Sequence, residues 1–204
     1  MSDVKLTVLS EHYRDTQKIL ENNVKARDQY FFFTLVILAV MAFQLFSPHQ
    51  SGNVLNEFIK DKLGTETSVS LVYITSILWF SLLAILVRYF QIVINLEKQY
   101  NYMHTLEGVL SREYSSKVFT REGKSYLKAY PRFSEWMHIV YRYIFPVLFV
   151  IAVTIKITGD WAALKDSVIP QALNGSIYAM IIVSTILYSY SLYKIDKDSY
   201  SDIE

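Results

Sequence analysis

The sequence predicts an all-α, polytopic membrane protein with four transmembrane helices, both termini on the cytoplasmic side, and helices 1 and 2 extended into the cytoplasm. Three observations predict it. The chain is 52% hydrophobic over 204 residues, more than a soluble domain usually carries. Four of its stretches approach the roughly 20 apolar residues that a helix needs to cross about 30 Å of hydrocarbon. Finally, Lys and Arg are shared unevenly among the segments that join those stretches.

The elements follow in order. Residues 1–29 form a cytoplasmic amphipathic helix: Leu6, Leu9, Tyr13, Leu20 and Val24 keep helical spacing, with charges at the positions between. Neither Gly nor Pro occurs between Asp3 and Phe46, so this helix is expected to run unbroken into the first span, 30–46. No cleavable signal peptide is visible before it, which makes the first span an uncleaved insertion signal. A polar external loop, 47–68, includes a short helix from Asn53 to Lys62. The second span, 69–87, is interrupted only by hydroxyl side chains, which bond to their own helix or to a neighbour.

Helical spacing continues beyond the second span through Ile92, Leu96, Tyr100, Met103, Leu106 and Leu110. The cytoplasmic segment 88–138 therefore starts with a projecting helix, which can pack on the N-terminal one. Ser134 is a candidate N-cap for the helix that enters the third span, 139–157. Arg142 and Lys156, near the two ends of that span, are expected to reach its interfaces, and Pro146 is expected to kink it. Residues 158–175 read as a second external loop, with Pro170 and Asn174-Gly175 as a turn. The fourth span is 176–193 and the cytoplasmic tail 194–204.

Orientation comes from charge. Sixteen of the twenty Lys and Arg fall before the first span, from Arg88 through Arg142 at the start of the third, or after the fourth, and short basic segments stay in the cytoplasm. Tyr30, Tyr89, Tyr141, Tyr143, Tyr188, Tyr190 and Tyr193 all fall at the inner ends, where amphipathic rings favour the headgroup region.

The same reading excludes several function classes. A formal net charge of +1 argues against direct nucleic-acid binding. The absence of cysteine removes disulfides, thiolate metal sites and thiol catalysis. No catalytic residues, metal ligands or cofactor are expected: the four histidines are scattered, and His104 with Glu107 reads as an exposed helical face. Apart from Gln44, the predicted spans lack a buried carboxylate, histidine or amide series for a relay, which counts against a secondary transporter.

Two sets of residues remain as candidates. Arg121, Lys124, Tyr126, Lys128 and Arg132 mix basic and aromatic groups just under the membrane. They suit anionic lipid, at about 1 kcal/mol per positive charge, or a partner or signal. Ser70, Thr75, Ser76, Ser81, Ser184 and Ser191 can line a polar path through several copies or let helices pack closely.

The run from Glu21 to Phe33 that leads into the first span resembles the juxtamembrane region of SLATT-type bacterial membrane effectors. The order of helix, two spans, the basic Arg121 to Tyr126 linker and two further spans resembles small four-span proteins of bacterial antiviral defence, including the membrane subunit of Kiwa-like systems. This resemblance implies a homo-oligomer in the bacterial inner membrane that responds to infection through a cytoplasmic protein partner or a small signal. Its spans would act as a gated pore or as an anchor. The alternative from the residues is a constitutive small channel or transporter component.

Overall fold

A computed structural model describes residues 3–63, 71–113, 136, 139–163 and 168–201. Among these the chain is helical except at Ser47: α1 Asp3–Phe46, α2 Pro48–Leu63, α3 Leu71–Glu113, a π-helical turn Val140–Ile144 leading into α4 Phe145–Ala163, and α5 Val168–Ser201. Four of them, α1, α3, α5 and α4 with its leading turn, are long and apolar enough to cross a membrane.

Proline decides the local breaks. Pro48 has no N–H and disfavours a helical residue before it, and α1 ends two residues earlier. The π-helical turn ends two residues before Pro146, which cannot donate to the carbonyl of Arg142 four residues back. Pro170 does not act as the turn that the sequence suggests. It lies in the first turn of α5, where backbone N–H groups have no intrahelical partner in any case, and the helix continues through Asn174 and Gly175. Gly175 faces Trp161, whose ring would lie 3.4 Å from a Cβ at that position.

The chain divides into two compact units. The first comprises Met1–Gln29, Tyr89–Tyr143 and Leu187–Glu204, and the second Tyr30–Arg88 and Ile144–Ile186. In the first unit, Leu20 of α1 and Ile92, Leu96, Met103, Leu106 and Leu110 of α3 are buried. These are the positions at which the helical spacing of apolar residues predicts an inward face. Polar side chains tie α1 to α3: Asn23 Nδ2 donates to Gln99 Oε1 at 3.0 Å, and His12 Nε2 meets the Tyr102 hydroxyl at 2.7 Å. Partners with low numbers on α1 meet high numbers on α3, so the two segments run antiparallel.

Two of the tyrosines assigned from sequence to the interface belong instead to the interior of this unit. Tyr89 and Tyr188 are buried, and the Tyr188 ring stacks on Phe90 with centroids 4.1 Å apart. Tyr143, Tyr190 and Tyr193 are exposed. The second unit has its own core of Met41, Trp79, Leu82, Leu86, Phe149, Val153 and Ile181.

Candidate functional site: an ion pair buried among spanning helices

The second unit contains a charged pair away from solvent. Lys156 and Asp160 stand four residues apart on α4, both buried. Lys156 Nζ donates to Asp160 Oδ1 at 2.5 Å. The carboxylate's other oxygen, Oδ2, accepts the indole Nε1–H of Trp79 on α3 at 2.8 Å. Both carboxylate oxygens are therefore satisfied. This matters because a single buried charge costs several kcal/mol in a protein interior and is found paired or hydrogen-bonded.

The pair is not a helix-stabilising device of the usual surface kind. A cation N-terminal to an anion is the less favourable order along the helix dipole. Its position must then come from tertiary packing. Trp79, fully buried, meets Tyr178 of α5 in a T-shaped contact, with ring centroids 6.3 Å apart. The Thr154 hydroxyl donates to Val150 O at 2.7 Å, so at 3.0 Å it accepts the Tyr178 hydroxyl. Carboxylate, indole, phenol and hydroxyl thus connect α3, α4 and α5 around the pair.

Two amides add to the polar character of this unit. Asn174 lies one helical turn before Tyr178 on α5 and is fully buried, and neither polar atom of its side chain has a hydrogen-bond partner among the described residues. Gln44 Oε1 on α1 is likewise buried without a partner among the described residues. Beside it, Leu45 packs directly on Gly159, where a Cβ would overlap the Leu45 side chain. Glycine between Lys156 and Asp160 in sequence therefore lets α1 approach α4 closely next to the ion pair.

Several expectations change. Lys156 does not extend to solvent: it is buried, with its counter-ion one turn further along the same helix. Arg142 does not reach out either: it is buried, Nη2 donates to Leu192 O at 3.0 Å, and the guanidinium lies 5.5 Å from the Tyr143 ring centroid. A backbone carbonyl and an aromatic face substitute for water around it. Glu107 is not on an exposed face. It is buried in the first unit and accepts the Tyr13 hydroxyl at 2.9 Å, because α1 covers that side of α3. Tyr13→Phe should therefore lower stability by about 1.5–3 kcal/mol, the range for a hydrogen bond to a charged group, measured as a shift in the thermal unfolding midpoint in detergent.

The basic and aromatic set, Arg121, Lys124, Tyr126, Lys128 and Arg132, lies outside the described residues, as do Ser70 and the proposed cap Ser134. Of the hydroxyl set, Thr75 is buried and Ser76, Ser81, Ser184 and Ser191 are half-buried. Ser76 donates to Val72 O of its own helix at 3.3 Å. Ser191 falls in the first unit and the other four in the second. Among the described residues, no group of three or more His, Cys, Asp or Glu could hold a metal ion.

The sequence reading missed Asp160 and Trp79. Asp160 falls in the segment that the sequence reads as the second external loop, because the apolar run ends at Ile157, next to Lys156. The signal that would have found it is the spacing of Lys156 and Asp160, which puts opposite charges on one helical face. No family model, curated protein or solved structure matches this chain.

Proposed function

We propose that this is a non-enzymatic, homo-oligomeric protein of the bacterial inner membrane, with both termini cytoplasmic, that acts in antiphage defence. In this reading α1 and α3 extend into the cytoplasm and receive a protein partner or small signal, with Arg121 to Arg132 contributing to that contact. The spans respond as a gated pore or hold the complex at the membrane.

The observation that carries this reading is helix length. α1 has 44 residues and α3 has 43, whereas about 20 suffice for a bilayer. At about 1.5 Å per residue each is roughly twice as long as the hydrocarbon is thick. The defence context rests on the resemblance of the Glu21 to Phe33 segment and of the span order.

The buried Lys156–Asp160 pair supports a second reading, a constitutive channel or transporter component, since ionisable residues within membrane helices pair with one another and mark ion or solute paths. One experiment separates the two. Membrane potential is followed with a voltage-sensitive dye in cells expressing the protein, with and without phage. Depolarisation only on challenge is the expected result. Steady depolarisation without phage would favour the channel, and no change would favour the anchor.

A further inference from the structure

The two buried amides of the second unit, Gln44 and Asn174, lie at one level. Phe31 of α1 meets Phe145 of α4 with ring centroids 4.8 Å apart, and 14 residues further along both helices Leu45 packs on Gly159. These segments of α1 and α4 therefore run parallel and in step, which sets Gln44 level with Thr158, midway between Lys156 and Asp160. Thr154 of α4 meets Tyr178 of α5, and the Trp161 carbonyl accepts from Gln171 Nε2 at 3.5 Å. The second contact lies seven residues later on α4 and seven earlier on α5, so this pair runs antiparallel. Asn174, four residues before Tyr178, is then level with Thr158 as well.

Each of the four long helices thus gives a polar group to one layer: Gln44 from α1, Trp79 from α3, Lys156 and Asp160 from α4, and Asn174 from α5. The hydrogen bonding of this layer is incomplete. Trp79 and Lys156 satisfy the two carboxylate oxygens, but an ammonium carries three N–H groups and Asp160 Oδ1 takes one. Asn174 Nδ2 and Oδ1 and Gln44 Oε1 are buried with no partner among the described residues. Taking an amide out of water is costly unless new bonds replace those it loses. The open groups include donors and acceptors. A bare cation would answer only the oxygens, and a bare anion only the N–H groups. Water is donor and acceptor at once, and a buried water makes about three hydrogen bonds to groups of this kind.

We infer that this layer is an internal water-binding site, in which ordered water bonds to the Asn174 amide and links it to Gln44 Oε1 and the Lys156 ammonium. Water beside the ion pair raises the local dielectric and lowers the cost of separating the two charges. The layer is therefore a wet level within an otherwise apolar core of Met41, Leu82, Phe149, Val153 and Ile181. This inference does not depend on the function proposed above.

Radiolytic footprinting tests it. The full chain is reconstituted into phosphatidylethanolamine–phosphatidylglycerol vesicles and given short X-ray pulses, which make hydroxyl radicals from water where that water stands. Oxidation is then read by mass spectrometry. Trp79 and Phe149 are both fully buried in this unit, but only Trp79 bonds to the polar layer. Each oxidation rate is divided by the rate of the same residue in the chain unfolded in urea, which removes the difference in intrinsic reactivity. Water held in the layer should make the normalised rate of Trp79 at least about fivefold that of Phe149. In Asn174→Leu the Trp79 rate should fall to the Phe149 level, with an unchanged Phe149 rate reporting that the core is intact. Equal low rates for Trp79 and Phe149 in the unaltered chain would overturn the inference, and that comparison needs no variant to fold. A Trp79 rate as high in folded Asn174→Leu as in the unaltered chain would also overturn it, because Asn174 would then not hold the water.

Discussion

Asp160→Asn is expected to lower the stability of the folded chain by about 3–5 kcal/mol, because it leaves the Lys156 ammonium buried without its counter-charge. Lys156→Met should cost a similar amount by stranding the carboxylate, although the indole bond from Trp79 remains. The double variant Lys156→Met/Asp160→Asn should be more stable than either single one. It buries no charge, and the asparagine side-chain oxygen still accepts from Trp79. Thermal or denaturant unfolding in a fixed detergent and lipid mixture, followed by fluorescence, reads this order. Losses that simply add in the double variant would mean that the two side chains do not act as a pair. The same variants inform function: a pair that only holds helices together should leave the dye response of the double variant intact, whereas a pair on an ion path should not.

Trp79→Ala is expected to have the second largest effect, about 3–5 kcal/mol from the cavity left by a fully buried indole. Trp79→Phe separates the contributions. Most of the ring volume and its edge contact with Tyr178 survive, but Asp160 Oδ2 loses its donor. A loss of about 1.5–3 kcal/mol is expected for that bond to a charged group. In the Asp160→Asn background the same Trp79→Phe change should cost less, since a neutral acceptor is being deprived. That difference is the coupling between α3 and α4, and a double-mutant cycle measures it directly. A Trp79→Phe loss equal in both backgrounds would remove the charge from the explanation.

The helical class, four apolar helices long enough to cross a membrane, and much of the packed face of the first unit are legible in the order of residues alone. These follow from short-range rules. A run without Gly or Pro from Asp3 to Phe46 has no reason to stop, and apolar residues from Ile92 to Leu110 at helical spacing have only one side to bury. Pro48 ended α1 close to where its chemistry requires.

The fate of the polar groups depends instead on contacts between distant segments. A charge near the end of an apolar run has two outcomes, reaching water or finding a partner, and the run alone does not select between them. Lys156 took the second because α4 continues through Gly159 to Asp160, with Trp79 of α3 completing the carboxylate's bonding. Glu107 took it because Tyr13 lies on the facing helix, 94 positions away in the chain, and Arg142 because Leu192 offers a carbonyl 50 positions away. Pro170 and Asn174-Gly175 look like a turn one residue at a time, yet they are helical where the first turn tolerates proline and Trp161 packs on the glycine. The physical reason is common to all of these. Helix formation and apolar spacing are local properties, whereas desolvating a charge is tolerated or refused by groups that the fold brings together from distant parts of the chain.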